Sequence, residues 1–75
     1  MTSYENLSGK SGVSAYEIYD NAILIEFRHG GKYLYDHDIP GKEEVEEMKR
    51  LAVLGSGLMT FINKYVRKRF AAKIS

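Results

Sequence analysis

The sequence predicts an α+β domain in which a three-stranded antiparallel meander is followed by two helices, in the order βββαα. The first half of the chain alternates short runs of β-branched and aromatic residues with turn signals. The second half instead repeats apolar residues at helical spacing. Because a three-stranded sheet has an apolar face that must be covered, we expect both helices to pack on one face of it.

Three runs rich in strand-forming residues define the predicted meander. They cover residues 13–19, 22–28 and 32–36. Asp20-Asn21 separates the first two runs, and both side chains favour turns because they bond to nearby backbone. Gly30-Gly31 separates the last two, since glycine reaches mirror-turn conformations at low steric cost.

Two helices are predicted over residues 42–54 and 58–72, with Gly55-Ser56-Gly57 as the break between them. The first follows Ile39-Pro40, because proline cannot donate a ladder hydrogen bond and its fixed φ suits a helix start. The second has apolar residues at positions i, i+3, i+4, i+7 and i+8, beginning with Leu58.

The size and composition of the chain predict one small domain. Residues 1–12 are rich in Ser, Gly and Asn and are expected to be a flexible lead-in, with a single domain over residues 13–75. Without cysteine, neither a disulfide nor a cysteine-ligated zinc can stabilise the core, which leaves homo-oligomerisation as the remaining common means. We recognise no signal peptide and no membrane-length apolar run, so we expect a cytoplasmic protein without a membrane partner.

Several short motifs, taken in order, resemble the KTSC family, a short domain found at the C-terminus of some lysyl-tRNA synthetases and as a stand-alone bacterial or phage protein. The resemblance runs from about Ser11 to Phe70. It is carried by Ser11-Gly12-Val13, Tyr19-Asp20, Ile23, Ile25, Phe27, Gly30, Tyr33-Leu34-Tyr35, Ile39-Pro40, Phe61, Asn63, Val66-Arg67 and Phe70. The resemblance implies a binding role, with RNA as the suggested ligand, and scarcely implies an enzyme.

The basic C-terminal end is one candidate binding surface. Residues 58–75 carry five basic residues and no acidic one. On a helix, Lys64 and Lys68 would lie one turn apart with Arg67 between them, forming a patch suited to phosphate groups. The alternative is a solvated outer face whose cations stabilise the helix dipole.

Tyrosines on the third strand are a second candidate surface, because Tyr33 and Tyr35 share one face of it. If only Gly30-Gly31 form the hairpin loop, Arg28 pairs with Tyr33. The tyrosines and Arg28 then make an aromatic-basic surface that can stack a base, and Tyr16 is a candidate member of it. If the loop is longer, Tyr33 faces Phe27 and both tyrosines belong to the core, because a one-residue shift exchanges the two faces.

Other polar residues allow a catalytic or metal role only weakly. His37 lies between Asp36 and Asp38, yet neighbours on a strand point to opposite faces, so a polar strand end that caps a turn is the simpler interpretation. Gly55-Ser56-Gly57 could expose backbone N–H groups to a phosphate or could simply connect two helices. Asn63 could read a base edge or bond to backbone.

The sequence therefore favours a small non-enzymatic module that binds nucleic acid or a nucleotide, with RNA or a small phosphorylated or cyclic nucleotide as its partner. We predict no catalytic residue, no metal and no cofactor, since no nucleophile, phosphate-binding or dinucleotide motif is recognised. The alternative is a protein-interaction or self-assembly module without a nucleotide, using the tyrosines and Met59. The predicted ligand-binding residues are Arg28, Tyr33, Tyr35, Asn63, Lys64, Arg67 and Lys68.

Overall fold

The computed structural model describes residues 1–7, 9 and 11–75. Within them, one antiparallel sheet contains five strands in chain order, β1 (Thr2–Ser3), β2 (Val13–Tyr19), β3 (Ala22–Phe27), β4 (Gly31–Asp36) and β5 (Ala72–Lys73). Between β4 and β5 lie α1 (Lys42–Leu54) and α2 (Leu58–Phe61), which continues as a π-helical turn (Ile62–Val66). The predicted α+β class is confirmed, and the sheet has five strands where the sequence predicted three.

The register of the central hairpin decides which side chains face the helices. Ile23 lies opposite Tyr35, and Ile25 lies opposite Tyr33. Directly opposed residues share a face of the sheet, so the two isoleucines and the two tyrosines all lie on the same side. Ile23 and Ile25 are fully buried there, which identifies this side as the inner face.

Both helical segments cover the inner face of the sheet. Residues Val45, Met48, Leu51 and Ala52 of α1 are buried, as are Leu58, Ile62 and Val66 of the second segment, and all join one core with the inner-face side chains. Helix α1 ends at Gly55, whose left-handed conformation allows its N–H to bond to the Leu51 carbonyl at 2.9 Å. Neither helix of the described chain has the length and apolarity needed to cross a membrane.

The N-terminal segment takes part in the fold, where the sequence predicted a flexible lead-in over residues 1–12. Strand β1 pairs with β2, and Tyr4 is buried in the core. The Leu58 N–H donates to the Tyr4 hydroxyl at 3.3 Å, and the Leu7 N–H donates to the Gly55 carbonyl at 2.8 Å. The prediction is thus corrected for residues 2–7, while Ser8 and Lys10 lie outside the described residues.

The second helix is shorter than the predicted 58–72, because the chain leaves helical geometry after Val66 and returns to the sheet. The Ala71 N–H donates to the Leu34 carbonyl and the Ile74 N–H to the Lys32 carbonyl, each at 2.8 Å. These bonds satisfy backbone groups along the open edge of β4, which helix continuation would leave unpaired. Tertiary pairing thus overrides the local helical pattern.

Candidate ligand-binding groove

A groove opens between the β3–β4 hairpin and the second helical segment. Its volume is about 580 Å³. It is lined by Phe27, Tyr33, Tyr35, Met59, Ile62, Asn63, Arg67, Lys68 and Phe70, and we refer to it as the aromatic groove. Five of the seven predicted ligand-binding residues are therefore brought together, although they come from one strand, a π-helical turn and the turn that follows it.

The floor of the aromatic groove is a cluster of aromatic rings packed edge to face. The Tyr33 ring centroid lies 5.7 Å from that of Phe27 and 4.7 Å from that of Phe70, and the Tyr35 and Phe70 centroids are 6.5 Å apart. Such contacts hold the rings in place. Burial, with a smaller contribution from Tyr33, raises the pKa of Tyr35 to about 12, so the Tyr35 hydroxyl stays neutral at physiological pH.

The rim of the aromatic groove carries exposed polar side chains, Asn63, Arg67 and Lys68. None of the described residues that line the groove is acidic. Within the described chain, no ion pair joins Arg67 or Lys68 to a carboxylate. Both charges are therefore available to an anion at the mouth of an apolar cavity, where a positive potential attracts it.

The backbone at this rim has an uncommon conformation. Arg67 has φ 53° and ψ −118°, and the Arg69 N–H donates to the Val66 carbonyl at 3.0 Å. These values describe a type II′ turn with Arg67 at its first central position, which glycine normally occupies. A non-glycine residue in such a region costs about 1 to 3 kcal/mol and is concentrated at functional sites, as π-helical turns like the preceding one are.

The hairpin register settles the two interpretations of the tyrosines. Phe27 pairs with Gly31, so the turn contains three residues, 28–30, and Tyr33 shares a face with Phe27. The longer-loop alternative is confirmed: Tyr35 is buried and Tyr33 is half-buried, both on the inner face. Tyr16, a candidate for an exposed aromatic surface, is also buried, so that assignment was wrong.

Arg28 does not join the tyrosines as the shorter loop would require. It lies exposed in the turn and is not among the residues lining the aromatic groove. Gly31 explains part of this geometry: it has φ 84°, and a Cβ there would lie 2.1 Å from the Ser75 carbonyl oxygen. Gly31 therefore both closes the turn and admits the C-terminal end beside β4.

The helical patch of Lys64, Arg67 and Lys68 is also corrected. Lys64 lies exposed in the π-helical turn and does not line the groove. Arg67 and Lys68 come after the helix has ended and reach the groove from a turn. The cations thus lie at the predicted end of the chain, but helical spacing is not what places Arg67 and Lys68.

His37 belongs to a surface cluster that joins the sheet to α1. Its Nε2 lies 2.8 Å from a Glu46 carboxylate oxygen, and the Lys49 ammonium lies 2.9 Å from the same oxygen. Hydrogen bonds from Lys49 and then His37 hold the pKa of Glu46 below its ordinary value. Asp36 Oδ1 accepts bonds from the N–H groups of Asp38 and Ile39 and so caps the turn. Among the described residues, no group of three or more His, Cys, Asp or Glu side chains could hold a metal ion.

The Gly55-Ser56-Gly57 loop is partly covered by the N-terminal segment, which packs over Gly55 while Gly57 stays exposed. Gly55 is buried, and a Cβ on it would lie 2.8 Å from the Glu5 Cβ. The Glu5 carboxylate is close to the same point, at 3.2 Å. A negative side chain packed over this loop disfavours anions, so the loop acts as the connection between helices.

Four lining residues were missed as site residues from the sequence, namely Phe27, Met59, Ile62 and Phe70. The alternation of Ile23, Ile25 and Phe27 could have placed Phe27 on the tyrosine face once the longer loop was chosen. Phe70 gave no such signal, because it was assigned to a helix that ends before it. Comparisons with family models, with curated proteins and with solved structures gave no match for this chain.

Proposed function

We propose that this protein is a non-enzymatic module that binds nucleic acid or a nucleotide in the aromatic groove. One observation carries the proposal: unpaired Arg67 and Lys68 flank a cavity with an aromatic floor. A nucleotide combines a planar apolar base with a phosphate, so it matches both parts of such a site. The resemblance to the KTSC family, with its suggested RNA-binding role, favours the same ligand class.

Individual rim residues have distinct proposed roles. Arg67 can contact two phosphate oxygens at once, whereas Lys68 acts as a point charge. Asn63 offers one acceptor and two donors at the groove mouth, which suits the edge of a base. Tyr33, half-buried and partly open to the groove, is the ring on which the base would pack.

A matched pair of charge reversals tests this site. Fluorescence anisotropy with a labelled single-stranded RNA and with labelled nucleoside monophosphates would measure binding to wild type, Arg67→Glu and Arg50→Glu. Arg50 is a suitable control because it is exposed on α1 and already paired with Glu47 at 2.6 Å. We expect Arg67→Glu to abolish binding and Arg50→Glu to retain it. Unchanged affinity in Arg67→Glu would remove the aromatic groove as the site.

The outer face of the sheet supports a second candidate, a protein-interaction or self-assembly function without a nucleotide. No helix of the described residues covers this face, and a cavity of about 420 Å³ on it is lined by Tyr19, Asn21, Ala22, Leu24, Leu34 and Ile74. Self-assembly through this face predicts a multimer that persists at high salt and is lost in Leu24→Lys. Light scattering that finds a monomer at high protein concentration would exclude self-assembly.

A further inference from the structure

We infer that the ligand of the aromatic groove is a single mononucleotide, one per chain, rather than a strand of nucleic acid. The inference rests on the proposed function and narrows it. Three features carry it, namely the size of the groove, the number of free cations beside it, and the ion pairs on the surface next to it.

The size of the groove suits one small ligand. Its volume of about 580 Å³ lies inside the range of roughly 300 to 1,000 Å³ that is typical of small-molecule sites. Proteins that bind strands present successive aromatic platforms along an extended groove. Here the rings of Phe27, Tyr33 and Phe70 pack against one another in a single cluster, which leaves room for one base.

The number of free cations also matches one phosphate group. Arg67 and Lys68 line the groove, and the Lys73 ammonium lies 5.7 Å from the centroid of the Tyr33 ring. A phosphate monoester carries about −1.5 to −2 charge at neutral pH, which two or three cations balance. Proteins that bind single strands span about 4 to 16 nucleotides per binding domain, and so contact more phosphates than the cations of this groove would balance.

Ion pairs occupy the surface across the second helical segment from the groove. Phe61 and Tyr65 line a separate cavity of about 270 Å³ there, together with Glu43, Glu44 and Glu47. Glu44 lies 3.6 Å from Arg69 and Glu47 lies 2.6 Å from Arg50. These two arginines are therefore already engaged and are not free to contact further phosphates of a strand that continued over this helix.

The test compares small and polymeric ligands on the same protein. Calorimetry would measure binding of the four ribonucleoside 5′-monophosphates, and anisotropy would measure a labelled single-stranded RNA of about twelve nucleotides. Each is measured at about 50 and about 200 mM salt. We expect one or more monophosphates to bind with one site per chain and to lose less than about tenfold in affinity between these salts. Arg67→Glu should weaken this binding and Arg50→Glu should not.

Two other outcomes separate the inference from the proposed function. If the RNA binds, loses more than about a hundredfold in affinity with salt, and is not displaced by any monophosphate, the groove recognises a strand and the inference is wrong. The proposed function would then stand. If neither the RNA nor any monophosphate binds, the proposed function fails and the inference fails with it.

Discussion

Two sets of basic side chains in this molecule differ in what lies beside them. The paired set has glutamates within ion-pair distance, from 2.6 to 3.6 Å, and consists of Lys49 with Glu46, Arg50 with Glu47 and Arg69 with Glu44. The unpaired set, Arg67 and Lys68, lines an apolar groove. The formal net charge of +1 hides this contrast, which shows that the placement of charge matters more here than its sum.

The two sets also arise from different parts of the fold. Two of the paired glutamates lie three residues before their partners on α1, so helical geometry alone brings each pair together. Arg67 and Lys68 instead follow the end of the second helical segment, and the aromatic groove forms only when that segment packs against the hairpin. We therefore expect the unpaired set to depend on tertiary structure and the paired set to depend on it much less.

Truncating Phe70, which holds the unpaired set in place, should have the largest effect on stability. Phe70 holds the segment carrying Arg67 and Lys68 against Tyr33 and Tyr35 through edge-to-face contacts. Because Phe70 is only partly buried, we expect Phe70→Ala to lower the free energy of unfolding by about 2 to 3 kcal/mol, at or below the usual range for aromatic truncations. Urea denaturation would measure this change.

Tyr65→Ala is the matched control for that variant. Tyr65 is 57% exposed, and its ring centroid lies 5.1 Å from that of Phe61. We expect the free energy of unfolding to fall by less than about 1 kcal/mol. Equal losses in the two variants would show that Phe70 does not anchor the groove.

The fold could be predicted from the sequence wherever local patterns and tertiary structure agree. The first three runs of alternating residues and helix α1 have their predicted places, because turn residues, period-two alternation and helical periodicity all point the same way. Strand β5 could not be predicted, since Ala72 and Lys73 pair with β4 against a pattern that reads as helix. The short strand β1 was missed because its two residues are too few to show any period.

The candidate site could be predicted only in part. The aromatic ring of Tyr33 and the charges of Arg67 and Lys68 predicted a binding site from the sequence. The register of the β3–β4 hairpin then decides which residues share that site. A single additional turn residue separates Arg28 from the tyrosines. The walls supplied by Met59 and Phe70 depend on where the last segment folds back, which no local signal specified.

The aromatic groove and the paired set should lose stability at opposite ends of the pH range, the groove in alkali and the paired set in acid. Because the folded-state pKa of Tyr35 is raised to about 12, its contribution to stability is fully present below the unfolded value near 10 and is lost as pH rises towards 12. We expect a loss of about 1 to 2 kcal/mol over that window. Chemical denaturation at several alkaline pH values would measure it, and Tyr35→Phe should show a smaller loss.

Glu46, with its partners Lys49 and His37, should lose its contribution to stability at acid pH. Lys49 and His37 lower the pKa of Glu46, so its stabilising contribution is present above its ordinary pKa and is lost as pH falls through the lowered value. Glu46→Gln should reduce the fall in stability at acid pH and leave the alkaline change intact. If Tyr35→Phe did not reduce the loss of stability at alkaline pH, that loss would not come from Tyr35 on the groove floor.

Relieving the strained turn should separate stability from binding. Arg67 occupies a position that favours glycine, so Arg67→Gly should raise the free energy of unfolding by about 1 kcal/mol, less than the full strain because glycine is more flexible when unfolded. The same variant should bind nucleotide more weakly, since the guanidinium is lost. Thermal denaturation and anisotropy on one sample would measure both effects.

Gly55→Ala is the inverse control for the strained turn. Gly55 has φ 81°, and an added Cβ would lie 2.8 Å from the Glu5 Cβ. This variant should therefore be less stable than wild type, by about 1 kcal/mol or more. If Arg67→Gly were destabilising too, the side chain of Arg67 would be contributing to folding rather than being held for a ligand.

The smallest effect is expected from breaking the exposed Arg50–Glu47 pair. Glu47 accepts hydrogen bonds from Arg50 at 2.6 and 2.9 Å, and Arg50 lowers the pKa of Glu47. Exposed pairs of this kind contribute little, because water and salt screen them and ordering two long side chains costs entropy. Glu47→Gln should leave both the melting temperature and nucleotide affinity unchanged within error. A fall of about 5 °C would show that the glutamates of α1 act as one network with Arg69, in which case the paired cations, and not only the groove, would help to hold the C-terminal segment in place.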